Sequence, residues 1–139
     1  MKLSFIICFI VLSCTCCYGQ SSNETKVDTL YINMNDNLVF EAEVDSTNHL
    51  IFKKADANAN NAKTITIELT FTQGAGTFLK IHNPFSKELS YKCELYAYKK
   101  KEYLETSTIP IRPTLGAFET WPYKIDKMRL TGFVLKNAD

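Results

Sequence analysis

Few side chains in this sequence are of the types that carry out catalysis. The two histidines, His49 after a predicted turn and His82 at the end of a predicted strand, are candidate metal ligands together with nearby carboxylates. A zinc site generally needs three or four His, Cys or acidic ligands, which two histidines do not supply. The sequence contains neither a Gly-x-Ser-x-Gly elbow nor a His-Glu-x-x-His motif. It therefore predicts no enzymatic activity, no metal and no cofactor. A small metal-handling or hydrolytic protein is the weaker alternative.

Two carboxylates, Glu41 and Glu43, share one face of a predicted strand. Residues two apart on a strand have Cα atoms roughly 6.5–7 Å apart, and a retaining glycosidase needs its carboxyl groups about 5 Å apart. This spacing does not exclude a catalytic pair. A solvent-exposed sheet face is the commoner setting for alternating glutamates, and we predict that role here.

Aromatic residues supply two candidate contact surfaces. The first is Trp121-Pro122-Tyr123, in which the proline would hold two rings rigidly on a loop, where they could stack on a sugar or grip a peptide. A lone tryptophan in a small β-domain is more often a core residue that closes one end. Two roles therefore remain open for Trp121, and Tyr123 is a candidate partner contact.

The second surface carries Tyr96 and Tyr98. By the period of two in a strand, these tyrosines share a face with Lys92 and Glu94, opposite to Cys93. That composition predicts a half-exposed sheet surface, and we assign both tyrosines as candidate partner contacts.

The first twenty residues resemble an export signal. Lys2 precedes an apolar run over residues 3–12, and a cysteine cluster at Cys14, Cys16 and Cys17 follows. The run is about 10 residues long and a membrane-spanning helix needs roughly 20, so the pattern favours a leader over a transmembrane anchor.

Two processing routes fit this leader. Signal peptidase would cut after Gly19, which defines a signal peptide over residues 1–19 and a secreted or periplasmic protein. The alternative reads residues 11–14 as a bacterial lipobox, with lipid attachment at Cys14 and a protein anchored to the cell envelope.

Composition limits the remaining possibilities. Removal of residues 1–19 would leave 120 of the 139 residues, enough for one domain, with 15 basic and 15 acidic side chains. A balanced chain lacks the basic face that nucleic acid requires. Cys93 would be the one remaining cysteine, so we predict a small buried hydrophobe there and no intrachain disulfide.

Short runs of β-formers separated by turn residues follow a polar tether at residues 20–26. One face of the second run (Leu38, Phe40, Ala42 and Val44) and one face of the fourth (Ile65, Ile67, Leu69 and Phe71) should point inward. Pro110 suggests an edge strand, and Gly132 a β-bulge. The glycine-containing turn at residues 73–76 predicts a hairpin between the strands on either side of it. The predicted strands cover residues 27–33, 38–44, 50–52, 64–72, 77–82, 89–98, 104–111 and 128–135, and residues 114–121 are either paired or irregular.

This spacing predicts an all-β domain over residues 27–139, built as an antiparallel two-sheet β-sandwich of seven to nine strands. The stretch from Thr77 to Ala97, with Asn83-Pro84 at its corner, resembles a strand–turn–strand unit of an exported immunoglobulin-like domain. That resemblance favours immunoglobulin-like topology.

Three functions fit these expectations to different degrees. The favoured one is a non-enzymatic binding or structural module at the cell envelope or outside the cell, whose partner is a protein or a glycan. The second is a subunit of a surface assembly that pairs through an edge strand. The third is the metal-handling or hydrolytic protein described above.

Overall fold

The computed structural model describes residues 26–55 and 61–137. The predicted leader, with Cys14 and Gly19, lies outside the described residues, as do positions 20–25 of the tether. The described part forms one 3₁₀ turn, Asn61–Lys63, and nine strands: β1 (Leu30–Asn33), β2 (Asn37–Val44), β3 (Leu50–Lys54), β4 (Thr64–Thr72), β5 (Gly76–His82), β6 (Glu88–Ala97), β7 (Glu102–Thr106), β8 (Gly116–Trp121) and β9 (Lys127–Lys136).

The strands form two antiparallel sheets. A four-stranded sheet has the order β1-β9-β6-β7, and a five-stranded sheet has the order β3-β2-β4-β5-β8. The prediction of an all-β, two-sheet sandwich is confirmed. Residues 114–121, left open by the sequence, contribute the edge strand β8. The strand predicted at residues 104–111 is instead β7, an edge strand that ends at Thr106, so Pro110 lies beyond it.

The core lies between the inner faces of the two sheets. Its aromatic centre is formed by Phe52, Phe133 and Tyr91, with ring centroids 4.8 Å apart for the first pair and 5.7 Å for the second. Cys93 is fully buried beside them, which confirms its predicted role as a small hydrophobe. Each fully buried aliphatic or aromatic side chain stabilises the fold by roughly 1.5–3 kcal/mol, and these contacts therefore hold the sheets together.

On β2 and β4, the prediction of inward-facing residues includes one side chain too many at the end of each strand. Ile65, Ile67 and Leu69 are fully buried, but Phe71 is 36% exposed, and Val44 of β2 is 44% exposed. Both residues lie at a strand end beside a turn. The alternation in the sequence continues there past the area that the opposing sheet covers, so the prediction of burial for these two side chains is wrong.

Gly76 permits the tight hairpin between β4 and β5. Its φ is 104°, and a Cβ placed there would lie 2.1 Å from the backbone oxygen of Trp121. The missing side chain lets β5 approach β8, because the neighbouring Thr77 pairs with Trp121 across the two strands. The hairpin and its glycine turn were predicted, whereas the close approach of β8 was not.

Gly132 forms the predicted bulge in β9. Its φ is 60°, and the register between β6 and β9 shifts between Ser90 and Lys92. The extra residue restores the inward direction of Phe133, which is 2% exposed. A glycine with positive φ in this position is the usual form of a G1 bulge.

A buried asparagine fixes the crossover between the sheets. The side-chain nitrogen of Asn83 donates to the carbonyl oxygens of Lys87, Ile111 and Arg112 at 2.9, 3.0 and 3.2 Å. Its side-chain oxygen accepts from the backbone N–H of Phe85 at 3.0 Å. This single side chain therefore bonds to four backbone groups and ties the loop between β5 and β6 to the segment at residues 111–112.

Candidate functional site

A cleft of about 310 Å³ opens at one end of the four-stranded sheet. Its walls come from the ends of β6 and β7 and from residues 122–126, the loop that carries the chain from β8 to β9. Leu95, Ala97, Leu104 and Ile125 give it an apolar lining. We call it the tyrosine cleft, because Tyr96, Tyr98 and Tyr123 also line it.

The structure thus brings together three of the four predicted contact residues. Tyr98 is 52% exposed and Tyr123 is 55% exposed, although 25 positions separate them in the sequence. Tyr96 and Tyr98 are in edge-to-face contact, with ring centroids 4.8 Å apart. The two surfaces that the sequence suggested separately are therefore one site.

Trp121 is not part of that exposed surface. It is 8% exposed and belongs to the hydrophobic core, so the core role applies and contact by its indole does not. Its inward direction follows from β8, where Ala117, Glu119 and Trp121 alternate with the exposed Phe118 and Thr120. Burial of Trp121 places Tyr123, two residues later, at the start of the loop that lines the cleft.

The loop beside the cleft is held by one buried hydroxyl. Thr77 is fully buried, and its Oγ1 donates to the backbone oxygen of Tyr123 at 2.8 Å while it accepts from the N–H of Ile125 at 3.0 Å. The carbonyl of Asp126 accepts from the N–H of Met34 at 2.9 Å. The loop is therefore tied to both sheets. No local pattern around Thr77 predicts this role, because the residue is one of several alternating threonines in strands.

Tyrosines also cover the outer face of the four-stranded sheet. We call this layer the tyrosine face and define it as Tyr31, Tyr96, Tyr98 and Tyr103. Tyr31 and Tyr103 lie on the two edge strands, yet their ring centroids are only 6.2 Å apart, and those of Tyr96 and Tyr103 are 5.1 Å apart. Because three strand spacings amount to about 14 Å, the rings must reach toward each other over the central strands.

An ion pair lies beneath these rings. Arg129 donates from Nε and Nη2 to both carboxylate oxygens of Glu94, at 2.5 and 2.7 Å, and its guanidinium carbon lies 4.7 Å from the Tyr103 ring centroid. The hydrogen bonds from Arg129 hold the pKa of Glu94 below its ordinary value. A bidentate pair of this kind has a fixed geometry and orders the rings above it.

Three charged residues line the tyrosine cleft, Glu105, Lys124 and Asp126, and the last two form an ion pair. Lys124 Nζ lies 2.8 Å from Asp126 Oδ1, and the hydrogen bond to this carboxylate raises the pKa of Lys124. Lys127 lies 5.8 Å from the centroid of the Tyr96 ring, in a cation–π contact. The cleft therefore combines aromatic rings, an apolar lining, the ion pair of Lys124 with Asp126 and the carboxylate of Glu105. Such a site can hold a ligand by stacking and hydrogen bonding.

The candidate metal ligands do not meet. His49 precedes β3 and bridges to Val134, whereas His82 ends β5 and pairs with Thr66 and Gly116. Two strands separate β3 from β5, which places them about 14 Å apart across the sheet. In the described part of the chain, no group of three or more His, Cys, Asp or Glu side chains is arranged to hold a metal ion.

Glu41 and Glu43 lie on the outer face of the five-stranded sheet, and each forms an ion pair with a lysine. Glu41 lies 3.3 Å from Lys53 Nζ, and Glu43 lies 2.6 Å from Lys26 Nζ. The hydrogen bond from Lys26 lowers the pKa of Glu43. These pairs are those of a solvated sheet face, as predicted.

An apolar patch lies on the edge of the five-stranded sheet. Phe118 of β8 is 64% exposed, and Leu115 and Ile109 beside it are 53% and 69% exposed. They border a cavity of about 290 Å³ between β8 and the preceding crossover. Glu119 accepts there from the N–H of Ile109 at 2.9 Å.

Across residues 26–55 and 61–137, no helix has the length and apolar character needed to cross a bilayer. Comparison of the chain with protein-family models, with curated proteins and with solved structures found no match.

Proposed function

We propose that this protein is an exported, non-enzymatic β-sandwich module that binds a partner through the tyrosine cleft. The observation that carries the proposal is the convergence of Tyr96, Tyr98 and Tyr123 at one cavity of about 310 Å³. Tyrosine is favoured in recognition surfaces because a large, rigid ring is combined with a hydroxyl that can donate or accept.

The cleft is also ordered before any partner arrives. The loop is tied through Thr77, and the tyrosine face is ordered by the pair between Arg129 and Glu94. Preorganised side chains lose little conformational entropy on binding, so more of the contact energy remains for affinity. These features support a binding role over a purely structural one.

Export is part of the proposal and rests on the sequence. The apolar leader over residues 1–19 supports secretion or periplasmic location after a cut at Gly19, with lipid attachment at Cys14 as the alternative. Intact-mass measurement of protein purified from its native envelope separates the routes. A chain that begins at Gln20 supports free release, a diacylglycerol-modified Cys14 supports anchoring, and an uncleaved chain in the cytosol contradicts export.

The binding role is tested by nuclear magnetic resonance on the chain from Gln20 onward. Soluble glycan and protein fractions of the envelope are added separately to the ¹⁵N-labelled protein. We expect saturable shifts confined to the amides of residues 95–98, 104–106 and 123–126, and their loss in Tyr123→Ala. Shifts centred on β8, or none with either fraction, contradict the proposal.

A second candidate function is assembly through the edge strand β8. The observation that favours it is the exposed cluster of Phe118, Leu115 and Ile109 beside an unpaired strand edge. Light scattering over a concentration range tests it. Assembly predicts a mass that rises with concentration and falls again in Phe118→Lys, and a strict monomer at every concentration contradicts it.

The immunoglobulin-like topology that the sequence favours also stays a prediction. Four consecutive strands, β2 to β5, share one sheet here. In the immunoglobulin constant-type order the chain passes to the second sheet after strand B.

A further inference from the structure

We infer that the ligand class of the tyrosine cleft is a neutral carbohydrate, bound as a single ring or as the end of a longer chain. This inference rests on the proposed function, because it names the ligand of the same site. Its three supports are the exposed rings, the charges at the cleft and the size of the cleft.

The exposed rings suit the faces of a sugar. Tyr98 and Tyr123 are each about half exposed, so a large part of each side chain is open to solvent at the cleft. One face of a pyranose presents C–H groups, which are apolar, and its edge presents hydroxyl groups. An aromatic ring that also carries a hydroxyl matches both parts of such a ligand.

The charges argue for a neutral ligand. Lys124 is engaged by Asp126 at 2.8 Å, Arg129 by Glu94, and Lys127 by the ring of Tyr96. These contacts occupy the nearby cations, and the carboxylate of Glu105, which also lines the cleft, would repel an acidic ligand. An adjacent ammonium and carboxylate can instead donate to one hydroxyl and accept from the next, as neighbouring sugar hydroxyls require.

The geometry of β7 disfavours the main competitor, an extended peptide. A peptide would bind by adding a strand along the edge of β7, which borders the cleft. That edge is five residues long and carries Glu102 and Glu105, and short, charged edges resist strand addition.

The size of the cleft fits a small ligand. A cavity of about 310 Å³ is at the lower limit for small-molecule sites, which suits a terminal sugar ring.

The test uses the chain from Gln20 onward and three sets of probes in ¹⁵N–¹H titrations. Glucose, galactose, mannose, N-acetylglucosamine and their disaccharides form the neutral set. Glucuronic and sialic acids form the acidic set, and a six-residue peptide of alternating Val and Thr represents a strand. We expect saturable shifts at Tyr98, Leu104 and residues 123–126 with at least one neutral sugar, and weaker binding or none with the other sets.

Variants identify the contact. Tyr123→Ala should weaken binding of that sugar roughly tenfold or more, and Tyr123→Phe, which keeps the ring, should weaken it less. Phe118→Ala, on the opposite sheet, serves as the control and should leave the affinity unchanged. Equal affinity in wild type and Tyr123→Ala overturns the inference.

Failure of the inference is distinguishable from failure of the proposed function. Tighter binding of an acidic sugar or of the peptide at the cleft overturns the neutral-sugar inference and leaves the binding role intact. Absence of shifts with the whole neutral set also overturns it. If the envelope fractions likewise produce no shifts at the cleft, the binding role fails too.

Discussion

Gly76 holds a backbone conformation that a larger residue would occupy only under strain. We expect Gly76→Ala to destabilise the fold by at least about 3 kcal/mol. A positive φ alone costs a non-glycine residue about 1–3 kcal/mol, and the new Cβ would also clash with the Trp121 carbonyl oxygen. Urea unfolding of both proteins, with free energies extrapolated to water, measures the difference.

Gly74 offers a matched control in the same turn. Its φ is 84°, but a Cβ there meets nothing within 4 Å, so Gly74→Ala should cost only the strain of about 1–2 kcal/mol. Equal losses in the two variants would show that the close approach of β5 and β8 is not what requires Gly76.

Thr77 is a positioning residue for the tyrosine cleft. Thr77→Val keeps the shape but leaves the Tyr123 carbonyl and the Ile125 N–H without their partner, which should cost about 1–3 kcal/mol. The amide resonances of residues 123–126 should broaden or move, because the loop has lost its attachment to β5. Urea unfolding and a ¹⁵N–¹H spectrum measure the two effects.

Thr120→Val provides the comparison, since Thr120 is exposed on β8. Surface substitutions usually change stability by less than about 0.5 kcal/mol. If Thr77→Val lowers stability no more than Thr120→Val and leaves the loop resonances in place, the role assigned to the Thr77 hydroxyl is wrong.

At the scale of elements, the ion pair between β6 and β9 predicts a pH dependence. Arg129 lowers the pKa of Glu94 below the ordinary value of 4.5 in the folded protein. The pair therefore stabilises the fold fully above pH 4.5, and the stabilisation is lost as the pH falls through the lowered pKa. The melting temperature of Glu94→Gln should lie below that of wild type at pH 6–8, and the gap should close in strong acid.

Glu102→Gln is the control for that experiment. Glu102, at the start of β7, contacts Lys100 at 3.6 Å, and 51% and 66% of their side chains are exposed, so this pair contributes little at any pH. A gap for Glu94→Gln that persists unchanged at pH 2 would contradict the assigned role of the carboxylate.

The positions of the strands in the sequence were largely predictable, but the pairing of strands within each sheet was not. The alternation of Ile65, Ile67 and Leu69 located β4, and the glycines after it located the hairpin. Such a pattern specifies which side of a strand is buried and contains no information about which strand lies beside it. The pairing of β5 with β8 and of β6 with β9 therefore emerged only from the structure.

The sequence predicted which tyrosines belong to the candidate site but did not predict that they lie close together. Tyr96, Tyr98 and Tyr123 were identified because exposed aromatic residues near strand ends are suited to contact. Their convergence depends on the crossover from β8 to β9, which brings a loop of the second sheet against the end of β6. Lys124 and Asp126 were missed, since charged residues in a loop carry no distinguishing pattern.

At the scale of the whole molecule, Cys93 reports on global unfolding. Burial, with a smaller contribution from Glu119, raises the pKa of its thiol to about 12. At pH 8 the thiolate fraction in the folded chain would then be roughly 10⁻⁴, and the thiolate is the reactive form. The chain from Gln20 onward should react with Ellman's reagent very slowly in buffer and within seconds to minutes in denaturing urea.

A melting experiment with a reductant tests whether the fold depends on a disulfide. The melting temperature should be unchanged by dithiothreitol, because Cys93 would be the one thiol of the processed chain and is a free, buried cysteine in the structure. Rapid labelling of Cys93 under native conditions would instead show that the core between the sheets opens locally.

The N-terminal end of the described chain and the tyrosine cleft lie at opposite ends of the domain. Leu30 pairs with Leu130, so Val27, which bridges to Phe52, lies roughly level with residue 133, about 20 Å along β9 from Lys127 at the cleft end. Because β1 runs toward the cleft, Lys26, where the described chain begins, lies at the end of the domain opposite to the cleft. Were the protein held to a membrane by lipid on Cys14, the anchor would therefore join the domain at the end remote from the tyrosines, which leaves the cleft free to face away from the bilayer.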